Sequence, residues 1–259
     1  GTDTIILRMG DGGSTLAAAD TITDFTDGSD FLGLDGGLVY TDLTIAQGTG
    51  DNSSDTIVSK GSEYLAILTG ITASNVNYFD VSSMATGNQT LNGTSGDDVH
   101  IGAAGIDTVT SGTGADVILT HGGDDAITVD GAGNKTIDGG TGTDSLTISV
   151  SGNTSLGSYT FSKSGDYLVL TDSGGNAIQY KNVETLKVGS YTYIEDTTND
   201  TYWNATEKAL YMYDGGSTSS SSITGLSGFS ASANLSVVGS GLADSMNLNI
   251  DRSSELTGN

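Results

Sequence analysis

Residues 101–148 read IGAAGIDTVTSGTGADVILTHGGDDAITVDGAGNKTIDGGTGTDSLTI, and in them each glycine-rich turn is followed by an Asp and, two residues later, by an apolar side chain. The series begins just before this stretch, at Asp98, and continues every nine residues through Asp107, Asp116 and Asp125. It ends with Asn134, nine residues further on, and Asp144, ten residues after that. Such regular spacing indicates a repeat architecture in which every copy folds as the same small unit.

The chemistry of one copy predicts a short strand between two tight turns. Glycines permit the left-handed or crowded backbone of the turn, and the apolar residue of each copy is expected to point into the core. Two copies then make one coil of roughly 18 residues, with equivalent turns stacked about 4.8 Å apart, the spacing of neighbouring strands. The expected core residues are Val109, Ile118, Ile127 and Leu146. In the two weaker copies the equivalent position is occupied by His100 and Thr136.

The copy at residues 139–147, GGTGTDSLT, matches the pattern G-G-x-G-x-D-x-U-x at every position. On this motif, and on the segment LNGTSGDDV at residues 91–99, the chain resembles the RTX, or haemolysin-type, family of calcium-binding nonapeptide repeats. The resemblance implies an all-β fold: a right-handed parallel β-roll with β-rich capping segments, repeated in tandem modules.

Calcium, as several ions per chain, is the cofactor that the resemblance implies. Closely stacked carboxylates repel one another unless a cation lies between them, and Ca²⁺ takes about six to eight oxygens from carboxylates and carbonyls. By resemblance, one ion joins each turn to its second successor, through the pairs Asp98–Asp116, Asp107–Asp125, Asp116–Asn134 and Asp125–Asp144. Turn glycines are expected to complete the ligand shells, namely Gly105, Gly114, Gly123 and Gly142.

The fifth copy is expected to bind calcium least well. Asn134 lacks the charge of an Asp, and the additional residue before Asp144 predicts a bulge at which the regular roll ends. Asp97 and Asp124 are either solvated turn residues or ligands, and the first interpretation is favoured. The two histidines are expected at the surface or in turns rather than in transition-metal sites, because no Cys accompanies them: His100 and His121.

A second resemblance lies at residues 20–34, DTITDFTDGSDFLGL. This segment is similar to the signature D-x-I-x-D-F-x-x-G-x-D-x-I-x-L that closes RTX rolls in serralysin-like and cyanobacterial secreted proteins. Asp3 precedes Asp20 by 17 residues, almost one coil, so the resemblance implies that Asp3, Asp20 and Asp24 are candidate ligands of another ion. The alternative is that they are N-cap and turn residues. Residues 39–80 alternate apolar and polar side chains, which indicates the antiparallel strands of a cap.

The chain divides into four predicted segments: the end of one RTX module with its β cap (1–82), the central calcium-binding roll (83–150), a β-rich cap or hairpin (151–216), and a linker with the start of a further degenerate repeat (217–259). Within the third segment, ATEKALYMY fits either a helix or a hairpin, and the hairpin is favoured. The chain lacks an initiator Met and ends in SSELTGN, so we treat it as a fragment of a longer protein.

The charge balance narrows the class of partner. Eight Lys+Arg face 32 Asp+Glu, a formal net charge of −24, and such a surface repels nucleic-acid phosphates. The sequence contains no Cys, so disulfides and thiolate metal sites are excluded. It has no run of 18 apolar residues to predict a membrane span, and its first residues lack the basic and apolar regions of a signal peptide.

Catalytic motifs are missing from the sequence, and we expect that the chain is not an enzyme. It has no H-E-x-x-H, G-x-S-x-G, P-loop or EF-hand motif, and two His without Cys leave few nucleophile–base pairs. Counting does not exclude a glycosidase-type pair of carboxylates, but the carboxylates lie in repeat turns, which favours a metal role.

The expected function is structural: a module of a secreted, cell-surface bacterial protein, such as a surface layer, adhesin or filament, that folds on binding calcium outside the cell after type I secretion. Like subunits, by self-assembly, or cell-surface polysaccharide are the expected partners. The first alternative is the non-catalytic RTX portion of a secreted hydrolase or toxin. The second is a polysaccharide-binding module that stacks sugars on Tyr202, Trp203, Tyr211 and Tyr213.

Overall fold

A computed structural model describes residues 1–196, 201–204, 209–212 and 236–238, and it is all-β. The described residues contain no α-helix, only six single-turn 3-10 helices. The 39 glycines and the short apolar runs explain this, because glycine destabilises helices and no apolar run has helical length. None of the helical turns in these ranges is long and apolar enough to cross a bilayer.

The N-terminal part combines a parallel and a mainly antiparallel sheet. β1 (Thr4–Leu7), β3 (Phe31–Leu34) and β7 (Val81–Ser83) form the parallel sheet. The other sheet has the order β2-β6-β5-β4, with the bounds β2 (Asp20–Ile22), β4 (Thr44–Gln47), β5 (Thr56–Lys60) and β6 (Glu63–Leu68). Its last three strands are antiparallel, as the alternation over 39–80 predicts. The helical turns are Leu16–Ala18, Tyr40–Asp42, Gly50–Asn52, Ala73–Asn75 and Tyr78–Asp80.

The repeats form a parallel β-roll, as predicted. Successive strands alternate between two parallel sheets, β8-β10-β12-β14 and β9-β11-β13, so two strands and two turns make one coil. The strand bounds are β8 (Thr90–Asn92), β9 (Val99–Ile101), β10 (Thr108–Thr110), β11 (Asp116–Leu119), β12 (Ala126–Val129), β13 (Lys135–Asp138) and β14 (Ser145–Ile148).

The register of β13 corrects the prediction for the fifth copy. Asp116 pairs with Lys135 and Ile118 with Ile137, so Lys135 occupies the position of the repeat Asp. The prediction that Asn134 takes the place of the repeat Asp, and Thr136 that of the apolar residue, is therefore wrong. The prediction of an additional residue just before Asp144 is wrong for the same reason. The additional residue lies in the turn before Lys135. This register buries Ile137 completely, whereas a shift of one residue would turn its side chain away from the core.

The capping segment continues both sheets of the roll, so the roll does not end at the fifth copy. β17 (Ala177–Lys181) pairs in parallel with β13, and β18 (Thr185–Val188) with β14. Antiparallel pairing then adds β15 (Thr160–Ser164) and β16 (Tyr167–Thr171) beyond β17, and β19 (Tyr191–Asp196) beyond β18. A helical turn at Leu156–Ser158 precedes β15.

Three further strands extend the sheet of β19: β20 (Thr201–Asn204), β21 (Ala209–Met212) and β22 (Ser236–Val238). β20 and β21 are antiparallel, which agrees with the hairpin and not with a helix over 209–212. Residues 205–208 between these strands lie outside the described residues, as do the linker and the degenerate repeat predicted over 217–259, apart from β22.

One apolar core runs through the roll and its cap. The predicted residues Val109, Ile118, Ile127 and Leu146 are at most 1% exposed, and they pack in one cluster with Tyr180, Leu186 and other residues of the cap. Burying each aliphatic side chain of this kind contributes roughly 1.5–3 kcal/mol. A second core, which includes Leu32 and Leu68, lies in the N-terminal part, and Ile101 of the roll packs against it. The division of the chain into four segments stays a prediction.

Candidate metal centre

The parallel register stacks the repeat positions in two columns, one for each sheet. We call Asp98, Asp116 and Lys135 the Asp116 column, because their positions are paired through β9, β11 and β13. The second, or Asp125, column belongs to β10, β12, β14 and β18, and it consists of Asp107, Asp125, Asp144 and Glu184. All of its members are acidic, and Glu184 comes from the cap.

A ladder of hydrogen bonds holds one oxygen of each carboxylate. The backbone N–H of Asp98 donates to Asp116 Oδ1 at 3.0 Å, and that of Asp107 to Asp125 Oδ1 at 2.7 Å. The Asp125 N–H donates to Asp144 Oδ1 at 2.8 Å, and the Asp144 N–H to Glu184 Oε2 at 2.6 Å. Each carboxylate therefore ties its own coil to the preceding one, a role that requires no metal.

The second oxygens of the Asp125 column differ in their partners. Asp107 Oδ2 accepts the N–H of Ala103 at 2.8 Å, so this carboxylate is satisfied by backbone. Asp125 Oδ2 and Asp144 Oδ2 accept no hydrogen bond, and water does not reach them because both residues are only 1% exposed. The hydroxyl of Thr120 lowers the pKa of Asp125, but it donates its hydrogen bond to the carbonyl of Gly139, at 2.8 Å. Unsatisfied buried anionic oxygens are costly without a cation.

The electrostatics of this column confirm that cost. Burial raises the pKa of Asp144 to about 6; the Asp125 N–H opposes this shift, and the charges of Asp125 and Glu184 add to it. Burial also raises the pKa of Asp125, against the hydrogen bond from the Asp107 N–H. Without a bound cation, Asp125 and Asp144 thus hold their protons more tightly in the folded chain than in the unfolded one.

Oxygen atoms of the turns lie beside these carboxylates. A Cβ built on Gly139 would meet Asn182 O at 2.0 Å and Asp144 Oδ2 at 2.9 Å, so carbonyl and carboxylate converge on the space that this glycine leaves. A Cβ on Gly142 would likewise meet Gly123 O at 2.0 Å, and one on Gly123 would meet Gly105 O at 2.2 Å. The predicted glycines therefore lie in stacked turns whose carbonyls point toward the next coil.

The donor set fits calcium better than a transition metal. In the described part of the chain, no three His, Cys, Asp or Glu side chains are grouped so as to hold a metal ion. A cation beside Asp125 and Asp144 would consequently need carbonyl oxygens besides the two carboxylates. Ca²⁺ accepts that mixture of hard oxygen ligands.

The Asp116 column contains its own cation. Lys135 Nζ lies 2.9 Å from Asp116 Oδ2, and both side chains are fully buried. Asn134 is exposed, and its Oδ1 accepts the N–H of Ala177 at 3.0 Å. Asn134 meets Asp116 only through its backbone, because its carbonyl accepts the Asp116 N–H at 3.0 Å. The predicted sharing of one calcium ion by these two side chains is therefore wrong. Gly114, the predicted ligand of this turn, directs its carbonyl to Lys135 Nζ at 2.7 Å.

In the N-terminal part the structure places a different residue opposite Asp3. β1 pairs with β3 so that Asp30 stands one coil away, and the Asp3 N–H donates to Asp30 Oδ1 at 2.8 Å. Asp20 instead begins β2, which pairs with β6 in the other sheet, and Asp24 is exposed outside the strands. The predicted coil from Asp3 to Asp20 is therefore wrong, because the intervening turn is longer than a nonapeptide.

Asp30 is a repeat-like position that was not predicted as a ligand. Asp80 directly precedes β7 but lies one residue out of this register, opposite Phe31, and it accepts the N–H groups of Asn77 and Gly28 at 2.9 and 3.2 Å. The second oxygen of Asp30 accepts the Thr26 N–H at 2.8 Å, and the hydrogen bonds from Asp3 and Thr26 lower the pKa of Asp30. The sequence signals Asp30 by the third Asp of the signature at 20–34 and by Leu two residues later. Both carboxylates accept backbone N–H groups, although burial raises the pKa of Asp80.

The remaining predicted residues fall as follows. Asp97 and Asp124 are exposed in turns and accept N–H groups of the next coil, from Ala115 and Thr143, both at 2.8 Å. This agrees with their interpretation as turn residues. His121 lies in a turn with φ of 64°, also as predicted. His100 does not lie at the surface: it is 8% exposed in β9, and burial lowers its pKa.

The comparisons with known proteins are sparse. No family model matches this chain, and no curated protein matches it. Among solved structures, the chain is similar to an extracellular lipase, LipA from Serratia marcescens, with 16% identity and a TM-score of 0.24. The match covers 52% of this chain and 22% of the lipase, so the chain spans about a fifth of that protein.

Proposed function

We propose that this chain is a calcium-dependent structural module of a secreted, cell-surface bacterial protein. The buried Oδ2 atoms of Asp125 and Asp144, which have no hydrogen-bond partner, are the observation that supports the proposal most directly. A roll that carried these carboxylates for shape alone would satisfy them by backbone, as it does for Asp107. Calcium would supply the positive charge and the flexible oxygen coordination that the two atoms lack.

The residues that would hold the ion are those of the Asp125 column. Asp125 and Asp144 would contribute carboxylate oxygens, with a turn carbonyl such as Asn182 O near Asp144 and with Glu184 at the cap end. Because the stacked arrangement exists only in the folded chain, the free energy of binding stabilises the fold. The protein's own part is to hold the carboxylates in register through the hydrogen-bond ladder.

This coupling suits a protein that works outside the cell. Calcium is scarce in the cytoplasm, where a chain with a net charge of −24 would stay loose enough for type I secretion. Outside, calcium would make the roll rigid. A surface layer, an adhesin or a filament needs such rigid modules, with like subunits or cell-surface polysaccharide as partners.

A calcium titration of the purified chain tests the proposal. We expect Ca²⁺ to increase the far-UV β signal, to reduce the radius of gyration and to raise the thermal midpoint, and we expect excess EDTA to reverse all three. Mg²⁺ is the matched control, because it requires a smaller, octahedral shell and keeps its waters. A chain whose spectrum, radius and midpoint are the same in EDTA and in Ca²⁺ would contradict the calcium dependence.

A further inference from the structure

We propose that Lys135 is a built-in cation of the roll, whose ammonium group takes the place of a metal ion between two coils of the Asp116 column. The comparison with a calcium-binding Asp125 column rests on the proposed function. The ion pair itself does not, because its contacts lie entirely within the chain.

The contacts of the ammonium group are those expected of a cation in such a turn. Lys135 Nζ lies 2.9 Å from Asp116 Oδ2, and it donates to Gly114 O at 2.7 Å and to Ala132 O at 3.3 Å. One carboxylate and two turn carbonyls, from successive coils, thus surround it. These are the oxygen types that the repeat pattern offers to calcium.

The number of partners matches the number of donors. An ammonium group has three N–H bonds, and three oxygens lie around it: two carbonyls accept hydrogen bonds, and Asp116 Oδ2 makes an ion pair at 2.9 Å. Asp116 Oδ1 is already held by the Asp98 N–H, so the lysine completes the carboxylate. Like the Oδ2 atoms of Asp125 and Asp144, Asp116 Oδ2 is buried and accepts no hydrogen bond, but the Lys135 ammonium already occupies the space beside it.

The position in the repeat explains why a lysine is found there. Residues 131–137 read GAGNKTI, against GTGADVI at 112–118, so the lysine replaces the repeat Asp itself. This replacement removes one negative charge from the column and adds a positive one. The two columns of one roll are thus neutralised differently: one by a covalently attached ammonium, the other by a free ion.

Two consequences follow for calcium binding. The chain should bind one ion fewer than its repeat pattern predicts, because the step between Asp116 and Lys135 admits none. That step should also persist in chelator, since a lysine cannot be removed by EDTA.

Two substitutions at Lys135 test the proposal, with Lys181→Met as the matched control. Lys181 pairs with Asp138 at 3.0 Å on the same sheet, but its side chain is 29% exposed, so little stability depends on it. Lys135→Met removes only the ammonium from the buried pair. We expect it to lower the thermal midpoint in EDTA by roughly 10 °C, and Lys181→Met by less than about 2 °C. Equal midpoints for the two variants would overturn the proposal.

Lys135→Asp restores the repeat pattern and should convert the ammonium position into a calcium site. We expect one more Ca²⁺ per chain than in the wild type by equilibrium dialysis, and a fold that is lost in EDTA and recovered in excess Ca²⁺. A variant that gains no calcium, or that excess Ca²⁺ does not restore, overturns the proposal even if Lys135→Met fails to fold. A wild type that binds no calcium contradicts the proposed function alone, because the loss in Lys135→Met is measured in EDTA.

Discussion

A single carboxylate in this roll has two tasks, and its two oxygens divide them. In Asp144, Oδ1 accepts the N–H of Asp125 and joins two coils, while Oδ2 is buried without a partner. The first task requires only an acceptor; the second requires a cation. A substitution that keeps the hydrogen-bond acceptor but removes the charge therefore distinguishes the joining of coils from the binding of a cation.

Asp144→Asn is therefore expected to have opposite effects in the two conditions. In EDTA the variant should be more stable than the wild type, because a neutral amide replaces a buried carboxylate whose pKa is raised. In Ca²⁺ it should be less stable, with at least about tenfold weaker binding, because the ion loses a charged ligand. Thermal unfolding and calcium titration measure both. Asp97→Asn, at an exposed turn position, should change neither, and a destabilised Asp144→Asn in EDTA would show that the charge is not a burden.

The same residue predicts a dependence on pH in calcium-free protein. The folded pKa of Asp144, about 6, lies above the ordinary 3.8, so the folded chain binds the proton more tightly. Stability is therefore gained as the pH falls through 6 and lost as it rises again. We expect the advantage of Asp144→Asn over the wild type in EDTA to shrink from pH 7 to pH 5. The difference between the two proteins removes the contribution of His100 and His121, whose pKa values burial lowers. An advantage that is constant with pH would contradict the titration of Asp144.

At the scale of the element, the turns set how closely the coils approach. The glycine two residues before the repeat position has a positive φ in the later copies, 125° at Gly123 and 138° at Gly142, and it faces a carbonyl of the turn one coil before. A side chain would both strain the backbone and separate the coils. The spacing of the columns, and with it the distance between carboxylates, depends on these positions.

Gly142→Ala should accordingly destabilise the roll by roughly 2–5 kcal/mol, because the new methyl group would meet Gly123 O at 2.0 Å. Gly175→Ala is the control, since Gly175 also has a positive φ, 86°, but nothing lies within 4 Å of its Cβ position. We expect it to cost about 1–2 kcal/mol. Chemical denaturation in Ca²⁺ compares them, and equal losses would mean that crowding between turns is unimportant.

Much of the roll itself is readable from the sequence, and the physical reason is the period. Nine residues return the chain to the opposite sheet, so the positions of Asp107, Asp116 and Asp125 predict strands, columns and core together. The period fails where a turn changes length. One additional residue before Lys135 moved the register, and the long turn before Asp30 hid a repeat-like position. Strand pairing and the burial of Ile137, not spacing, decide these cases.

At the scale of the whole molecule, the roll does not stand alone. The cap strands β17 and β18 continue the two sheets at one end of the roll, and their side chains share its core. The charge of −24 keeps calcium-free chains apart.

Assembly is expected to depend on calcium for that reason. Electron microscopy of the purified chain should show ordered sheets or filaments in Ca²⁺ and dispersed particles in EDTA. Na⁺ at equal ionic strength is the control, because it screens charge without binding the column. Dispersed, rigid particles in Ca²⁺ would contradict self-assembly and would favour a passive module of a larger secreted protein.

The sequence by itself determined the period, the all-β class, the inward apolar residues and the acidic character of the columns, because each follows from local chemistry repeated at a constant interval. Only the tertiary structure decided which carboxylates lack partners and that Lys135 stands in the place of an Asp. The reason is that satisfaction of a buried charge depends on atoms from another coil. Those atoms lie 18 or 19 residues away along the chain, or 40 in the case of Glu184 and Asp144, at distances that turn length alone controls.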